Sequence, residues 1–203
     1  MFQSQQYDSA ASEFKRLIST PDLINRDRLA WSELRMTQCK AYQDNWTEAL
    51  QGAESALNTH PDFDAKYEFH FIIGRAHAAQ GRLTEARQAY QKVIDSETGN
   101  ATETAAMAQW RIGETYFHQE NFERAIEAFY RVDSLYGYDK WRAAALVEAG
   151  KCQEILGNWN HAVRLYQQLL DKFPQCEFSL AAKERMNQAA RQAARSDAVR
   201  QKK

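Results

Sequence analysis

Small, large apolar and aromatic side chains recur along the chain at fixed distances. Four alanines stand 37 to 39 residues apart; each follows a large apolar residue by three positions, and three precede a ring by four. Residues spaced by three and four lie on one face of a helix, so the pattern predicts the same amphipathic helix four times. The alanines are Ala49, Ala86, Ala125 and Ala162, with Trp46, Leu83, Phe122 and Trp159 before them and Tyr90, Phe129 and Tyr166 after them.

Glycines recur in register with the alanines. Gly74, Gly113 and Gly150 each stand twelve residues before an alanine of the series, inside stretches that otherwise favour helix. Glycine costs roughly 1 kcal/mol in a helix interior, so its recurrence indicates that another helix approaches closely there. Short breaks at 80–82, 119–121 and 156–158 separate the glycine helices from the alanine helices. Each repeat is therefore predicted to be a helical hairpin, which buries its apolar face by stacking on other hairpins.

The third hairpin, from Gly113 to Phe129, resembles the tetratricopeptide repeat (TPR) family almost position for position, and the resemblance covers roughly residues 1–175. The first hairpin departs from the pattern, with Thr37 in place of the glycine and Ala53 in place of the ring. The segment 173–183 is similar to repeats in bacterial cell-envelope proteins of the Tol-Pal-associated and outer-membrane-assembly types. The resemblance implies an all-α fold, a right-handed superhelical solenoid of about ten helices in stacked antiparallel pairs.

The repeat pattern also places boundaries within a single solenoid over 1–203. We expect the second helix of a truncated repeat at 1–21, repeats at 22–61, 62–99, 100–138 and 139–175, and a capping helix with a basic tail at 176–203. Beginning on a second helix favours additional repeats upstream, and a single capping helix is the alternative. In the last helix we expect Phe178, Leu180, Ala181 and Met186 to cover the preceding hairpin.

Composition and motifs remove several classes of function. Basic and acidic residues nearly balance, 26 against 27, which is unlike a nucleic-acid-binding protein, and no apolar run suits membrane insertion. Cys39 and Cys152 occupy a column of small residues and are predicted to be buried thiols. The five histidines lack metal-binding spacing, and no phosphate-binding loop or nucleophile elbow occurs. We therefore predict no enzyme activity, no cofactor and no metal.

Stacked hairpins leave a concave groove lined by their first helices, which suits a peptide or helix of a partner protein. The predicted function is thus a non-enzymatic protein-interaction module or scaffold. By resemblance to the family, the groove residues are Trp31, Leu34, Tyr42, Phe71, Arg75, Met107, Trp110, Glu114, Phe117, His118, Val147, Lys151 and Glu154.

Two alternatives to a ligand-binding groove stay open at this point. One is that the rings of the groove pack against the next hairpin. The other is that the chain is a structural spacer in a longer TPR solenoid with no specific groove ligand. The lysine and asparagine clamp that some family members use for a terminal carboxylate is disfavoured, because its columns hold residues such as Leu34 and Arg75. The envelope resemblance implies a bacterial periplasm or cell-envelope location, with the cytoplasm as the alternative.

Overall fold

The computed structural model describes residues 2–20 and 25–200. Ten α-helices and no strand lie within these two ranges, which confirms the predicted all-α class. The helices are α1 Phe2–Ile18, α2 Arg26–Tyr42, α3 Trp46–Thr59, α4 Lys66–Ala79, α5 Leu83–Ile94, α6 Glu103–His118, α7 Phe122–Leu135, α8 Asp139–Ile155, α9 Trp159–Lys172 and α10 Ser179–Arg200.

The chain divides into two compact units, Met1–Ala108 and Gln109–Lys203, and the division falls inside α6. The core of the first unit is built from α2 to α5 and includes Leu34, Phe69 and Ile72. The core of the second unit is built from α7 to α10 and includes Phe129 and Leu146. Each unit therefore has its own buried apolar cluster, which each hairpin alone could not provide.

The glycine positions are where the two helices of a hairpin touch. A Cβ added to Gly74 would lie 2.4 Å from the ring of Tyr90, and one added to Gly113 would lie 2.5 Å from the ring of Phe129. Gly150 meets the ring of Tyr166 in the same way, at 2.5 Å. The recurring glycine thus leaves room for the recurring ring of its own hairpin, as the close approach predicted from the sequence requires.

The first hairpin solves the same packing problem with the volumes exchanged. Thr37 fills the glycine position of α2, and Ala53 replaces the ring on α3; both are buried, at 4% and 0% exposure. A Cβ added to Gly52 would lie 3.2 Å from Thr37 Oγ1, so a second small residue of α3 also faces the threonine. The departure from the repeat pattern is therefore a compensated one.

The break inside each hairpin has one common backbone feature. Asp44, Gly81, Glu120 and Gly157 occupy equivalent positions and have φ values of 57°, 74°, 57° and 72°. A left-handed residue after the last helical turn ends a helix, and glycine adopts it without steric cost. The next helix then begins at once, and the Asn121 side chain accepts a hydrogen bond from the Arg124 backbone N–H at 3.2 Å.

The predicted packing face of the last helix is wrong by part of a turn. Leu180 is 73% exposed and Ala181 is exposed, whereas Phe178 and Met186 pack against the core as expected. The buried stripe of α10 consists of Ala182, Ala189 and Ala193. These small residues share one helix face with Met186 at spacings of four, three and four, so α10 lies close to its neighbours through alanine rather than leucine.

The cysteine prediction is confirmed. Cys39 and Cys152 are both buried free thiols, at 6% and 0% exposure. Burial raises the pKa of the Cys152 thiol to about 12, so this side chain stays protonated and packs as a small apolar group.

Candidate functional site

One face of α2 presents two large aromatic side chains to solvent. Trp31 is 44% exposed and Tyr42 is 57% exposed. Arg35 and Gln38 lie between them at spacings of four, three and four residues, which places all four side chains on one side of the helix. We call Trp31, Arg35, Gln38 and Tyr42 the α2 stripe.

Arginines lie against the rings at both ends of the α2 stripe. The guanidinium carbon of Arg35 is 5.5 Å from the centre of the Trp31 ring, and Arg35 Nη1 donates a hydrogen bond to Gln38 Oε1 at 2.8 Å. From α4, the guanidinium of Arg75 lies 5.9 Å from the Tyr42 ring and 4.9 Å from the Trp46 ring. Such cation–π contacts hold a positive charge beside an exposed apolar surface.

Further rings support the α2 stripe from outside it. Tyr7 of α1 stacks on Tyr42 with ring centres 4.9 Å apart and the planes inclined by 13°. Trp31 meets Phe63 edge to face at 5.2 Å. The two exposed rings are therefore restrained by aromatic partners within the first unit, and they keep a large exposed surface in spite of these contacts.

Two predicted groove residues of the first unit are core residues instead. Leu34 is 0% exposed and Phe71 is 7% exposed, with the Phe71 ring 5.7 Å from the ring of Tyr90. Their position on the first helix is as predicted, but neighbouring helices cover them. We therefore remove Leu34 and Phe71 from the contact surface, while the partly buried Met107 and Arg75 remain.

In the second unit, the predicted groove residues of α6 are less exposed than those of the α2 stripe. Trp110, Glu114 and Phe117 follow one another on α6 at spacings of four and three, and all three are partly buried. The Trp110 ring lies 6.3 Å from Phe129 and 5.6 Å from Trp141. The indole N–H of Trp110 is buried and finds no hydrogen-bond partner among the described residues.

The charged side chains on this part of α6 interact with each other and with a ring of the same helix. Arg111 Nη1 donates a hydrogen bond to Glu114 Oε2 at 2.6 Å, and the Arg111 guanidinium lies 5.1 Å from the Trp110 ring. Burial raises the pKa of the Glu114 carboxyl, and the charge of Arg111 offsets only part of that effect. At the end of the helix His118 is exposed and meets the Phe117 ring edge to face at 6.2 Å.

The predicted residues of α8 have structural partners. Val147 is 4% exposed and belongs to the core, so it also leaves the contact surface. Lys151 pairs with Glu148 at 2.7 Å. Glu154 accepts hydrogen bonds from Tyr166 Oη at 2.9 Å and from Arg185 Nη1 of α10, which ties the last helix to the hairpin before it.

The two ring clusters also bear on the alternative that groove rings pack against the next hairpin. Trp31 does contact Phe63, which precedes α4, and Trp110 contacts Trp141 of α8. These contacts cover only part of each ring, since Trp31 stays 44% exposed and Trp110 is partly buried.

Sequence reasoning missed Arg35, although its position four residues after Trp31 is the signal that places both on one face.

A separate cavity of about 450 Å³ lies between α3, α4 and α5, lined by residues that include Glu54, His70, His77 and Lys92. Burial, with Lys92 and Lys66 nearby, lowers the pKa of His70 to about 4.

Over residues 2–20 and 25–200, no His, Cys, Asp or Glu side chains form a group of three that could hold a metal ion. None of the helices described there combines the length and apolar character that crossing a bilayer requires.

Comparison with known sequences identifies the repeat. Two family models described as tetratricopeptide repeat match the chain, one over residues 40–101 and 99–140 and the other over 144–175. Small glutamine-rich tetratricopeptide repeat-containing protein 2 of Saccharomyces cerevisiae (strain ATCC 204508 / S288c) is 41% identical over 58 residues. That match covers 29% of this chain and 16% of the yeast protein, so the chain spans about a sixth of its curated relative.

Solved structures share the fold at low sequence identity. The apo form of RapI has a TM-score of 0.73 at 16% identity, covering 96% of this chain and 80% of its own. BtubC (BKLC) from P. vanneervenii has a TM-score of 0.67 at 13% identity, covering 95% and 83%. YrrB, described as a TPR protein with an unusual peptide-binding site, has a TM-score of 0.61 at 15% identity, covering 89% and 84%.

These findings support the predicted TPR fold class and, with it, a general role as a scaffold for protein interactions. They do not bear on the expected similarity to cell-envelope proteins or on the compartment, which stay predictions. Since the matched family models together cover well over half of the residues, the chain belongs to the tetratricopeptide repeat family.

Proposed function

We propose that this chain is a non-enzymatic interaction module that binds a peptide segment of another protein on its first-helix faces, with the α2 stripe as the main contact surface of the first unit. The observation that carries the proposal is the exposure of Trp31 and Tyr42, 44% and 57%, on the first-helix face that the resemblance to the family assigns to the ligand groove. Large aromatic side chains on such a surface are the usual anchors of a protein interface.

The contacts around Trp31 and Tyr42 favour a role for these two rings in ligand binding. Stacking of Tyr7 on Tyr42 and the edge contact of Phe63 with Trp31 restrain both rings before a ligand arrives. A restrained aromatic side chain loses little conformational entropy on binding, so more of its contact energy contributes to affinity. The printed description of YrrB, a structural neighbour with a peptide-binding site, supports a peptide as the class of ligand.

The second unit offers a weaker site on the same principle. Trp110 and Phe117 are partly buried, and Lys151 and Glu154 are engaged within the unit. We therefore expect the main aromatic anchor to be Trp31, with Trp110 as a secondary one.

The proposal is tested by selecting random peptides on the immobilised chain and measuring the affinity of the selected peptides by fluorescence anisotropy. Trp31→Ala should weaken binding by about 2 kcal/mol, with helical content unchanged by circular dichroism. Leu135→Ala is the matched control, since Leu135 is a 67% exposed apolar residue of α7, outside the α2 stripe. A structural spacer would yield no enriched peptide, or only peptides whose affinity neither Trp31→Ala nor Trp110→Ala changes.

A further inference from the structure

We infer that Arg35 binds an acidic side chain of the peptide ligand, in the place that an acidic residue of the chain itself occupies in the second unit. Trp31, one turn away on the α2 stripe, takes an apolar or aromatic side chain of the same peptide. This inference rests on the proposed function, and it adds the chemistry of the ligand and the spacing of its two anchoring side chains.

The inference comes from equivalent positions of the hairpins. Two positions before the glycine position and one position after it, α2 carries Arg35 and Gln38, and α6 carries Arg111 and Glu114. In both helices Nη1 of the arginine donates a hydrogen bond to the second residue of the pair, to Gln38 Oε1 at 2.8 Å and to Glu114 Oε2 at 2.6 Å. The acceptor is a carboxylate in the second unit and a neutral amide in the first. The charge of Arg111 is therefore balanced on its own helix, and the charge of Arg35 is not.

The fourth hairpin uses the same two positions for an ion pair with the signs exchanged. On α8 they hold Glu148 and Lys151, which lie 2.7 Å apart. In α4 the first of the two positions holds the buried Ile72 instead. Where the first position is charged, its partner three residues later has the opposite charge in the third and fourth hairpins and is neutral in the first.

Arg35 has donors left for a ligand carboxylate. The side chain is exposed, and among the described residues no group accepts a hydrogen bond from its Nε or Nη2. No residue three or four positions from Arg35 on α2 is acidic. The Nε and Nη2 atoms lie on one edge of the guanidinium group, and their N–H groups match the two oxygens of a carboxylate. A ligand can therefore bind this edge while Nη1 keeps its hydrogen bond to Gln38.

The separation of the two anchoring groups limits the spacing of the ligand side chains. The guanidinium carbon of Arg35 lies 5.5 Å from the centre of the Trp31 ring. In an extended peptide, side chains two positions apart lie on the same side and about 7 Å from each other, whereas adjacent side chains point to opposite sides. We therefore expect the acidic side chain of the ligand to stand two positions from the apolar one.

A phosphate group also matches the edge of a guanidinium group, so nucleic acid is the other polymer to consider. A nucleic-acid strand presents a phosphate at every nucleotide, and its tight binding depends on many cations that release condensed counterions. One uncompensated arginine in a chain of formal net charge −1 suits a single carboxylate better. A carboxylate is also what the second unit places on the equivalent arginine.

The test uses three matched sets of ten-residue peptides with blocked ends. A phenylalanine is fixed near the middle, the position two residues before or after it is glutamate, glutamine or lysine, and the other positions are random neutral residues. The full chain should bind the glutamate set about threefold to tenfold more tightly than the glutamine set at low salt, and the difference should shrink at high salt. Glutamate moved next to the phenylalanine should lose most of this advantage.

Variants test the assignment to Arg35 through the ratio of the two affinities, glutamate set over glutamine set. Gln38→Glu gives the first unit the carboxylate that the second unit has, so the ratio should fall to about one. Arg35→Gln should lower the ratio in the same way, because the anion-binding group is removed. Gln88→Glu is the matched control, since it makes the same charge change as Gln38→Glu at an exposed position of α5, and the ratio should stay as in the parent chain.

The outcomes separate the inference from the proposed function. If the glutamine or lysine set binds as well as the glutamate set and binding still depends on Trp31, the acidic ligand is wrong and the peptide-binding function stands. A preference for glutamate that survives both Arg35→Gln and Gln38→Glu overturns the role of Arg35. No binding by any set also overturns the inference, and the selection of random peptides then decides the proposed function. Tighter binding of a short oligothymidine than of any peptide overturns both.

Discussion

Replacing Gly113 by alanine puts a methyl group where an aromatic ring already lies. The added Cβ would be 2.5 Å from Phe129 Cε1, 2.6 Å from Cδ1 and 2.8 Å from Cζ, all inside van der Waals contact. Phe129 is 1% exposed and belongs to the core of the second unit, so its ring cannot turn into solvent without opening that core. We therefore expect the close contact to be relieved by moving α6 away from α7.

Two opposing contributions decide the magnitude. Alanine in place of glycine favours a helix by about 1 kcal/mol. Overfilling a packed core costs about 1–3 kcal/mol, and three close ring atoms place Gly113 at the upper end of that range. We expect Gly113→Ala to lower the free energy of unfolding by about 2 kcal/mol. Gly137→Ala is the matched control, because apart from the glycine itself and its two chain neighbours no heavy atom lies within 4 Å of its added Cβ, and its effect should stay within about 0.5 kcal/mol.

The measurement is urea unfolding followed by circular dichroism, with the slope of the transition compared between variants. If the ring is the obstacle, Phe129→Leu should cost less in the Gly113→Ala background than in the parent chain, with a coupling of about 0.5–3 kcal/mol. A Gly113→Ala chain that is as stable as the parent would refute the close-approach explanation for the glycine column.

Two further predictions concern the last helix and the histidine beside the cavity. Glu154→Gln should destabilise the second unit by about 1–2 kcal/mol and speed hydrogen exchange in α10, because the charged acceptor of Arg185 is lost; unchanged exchange there would contradict this role. The pKa of His70 is lowered to about 4 by burial and by Lys92, so the unfolded chain takes up a proton below its ordinary pKa of 6.5 and the folded chain does not until about 4. The free energy of unfolding should therefore fall as the pH drops from about 6.5 to about 4. In urea titrations, His70→Gln should reduce that fall by about 1–2 kcal/mol, a magnitude that allows for the partial exposure of His70. His161→Gln, at an exposed position, is the control and should leave the fall unchanged.

The packing of each hairpin could be predicted because it repeats. The alanines of the series, from Ala49 to Ala162, are all 0% exposed, and each recurring glycine meets the recurring ring of its own hairpin. A column that holds the same small residue in several hairpins reports a contact made in each of them. Its meaning can therefore be derived from spacing and side-chain size alone.

Burial on the side of the predicted groove could not be derived in this way. The family resemblance places Phe71 and Trp31 in the same groove, yet Phe71 is 7% exposed and Trp31 is 44% exposed. Helical periodicity gives the direction of a side chain from its own axis, and the neighbouring helices decide how much of it solvent can reach. Leu180 is a different error, because the buried face of α10 is the one that carries Ala182, Ala189 and Ala193, and Leu180, at 73% exposure, lies outside it.

The contrast between Thr37 and Arg35 separates packing from recognition in this chain. Thr37 breaks the glycine column, but Ala53 gives up the volume that the threonine takes, so the hairpin closes as the others do. Arg35 lies on the exposed side of α2, and it contacts Trp31 and donates a hydrogen bond to Gln38 on its own helix. A change that a neighbour compensates preserves the fold, whereas a change that alters only the exposed face alters what the fold can bind. For that reason the residues that recognise the proposed peptide have to be sought at the positions where the repeats differ and stay exposed.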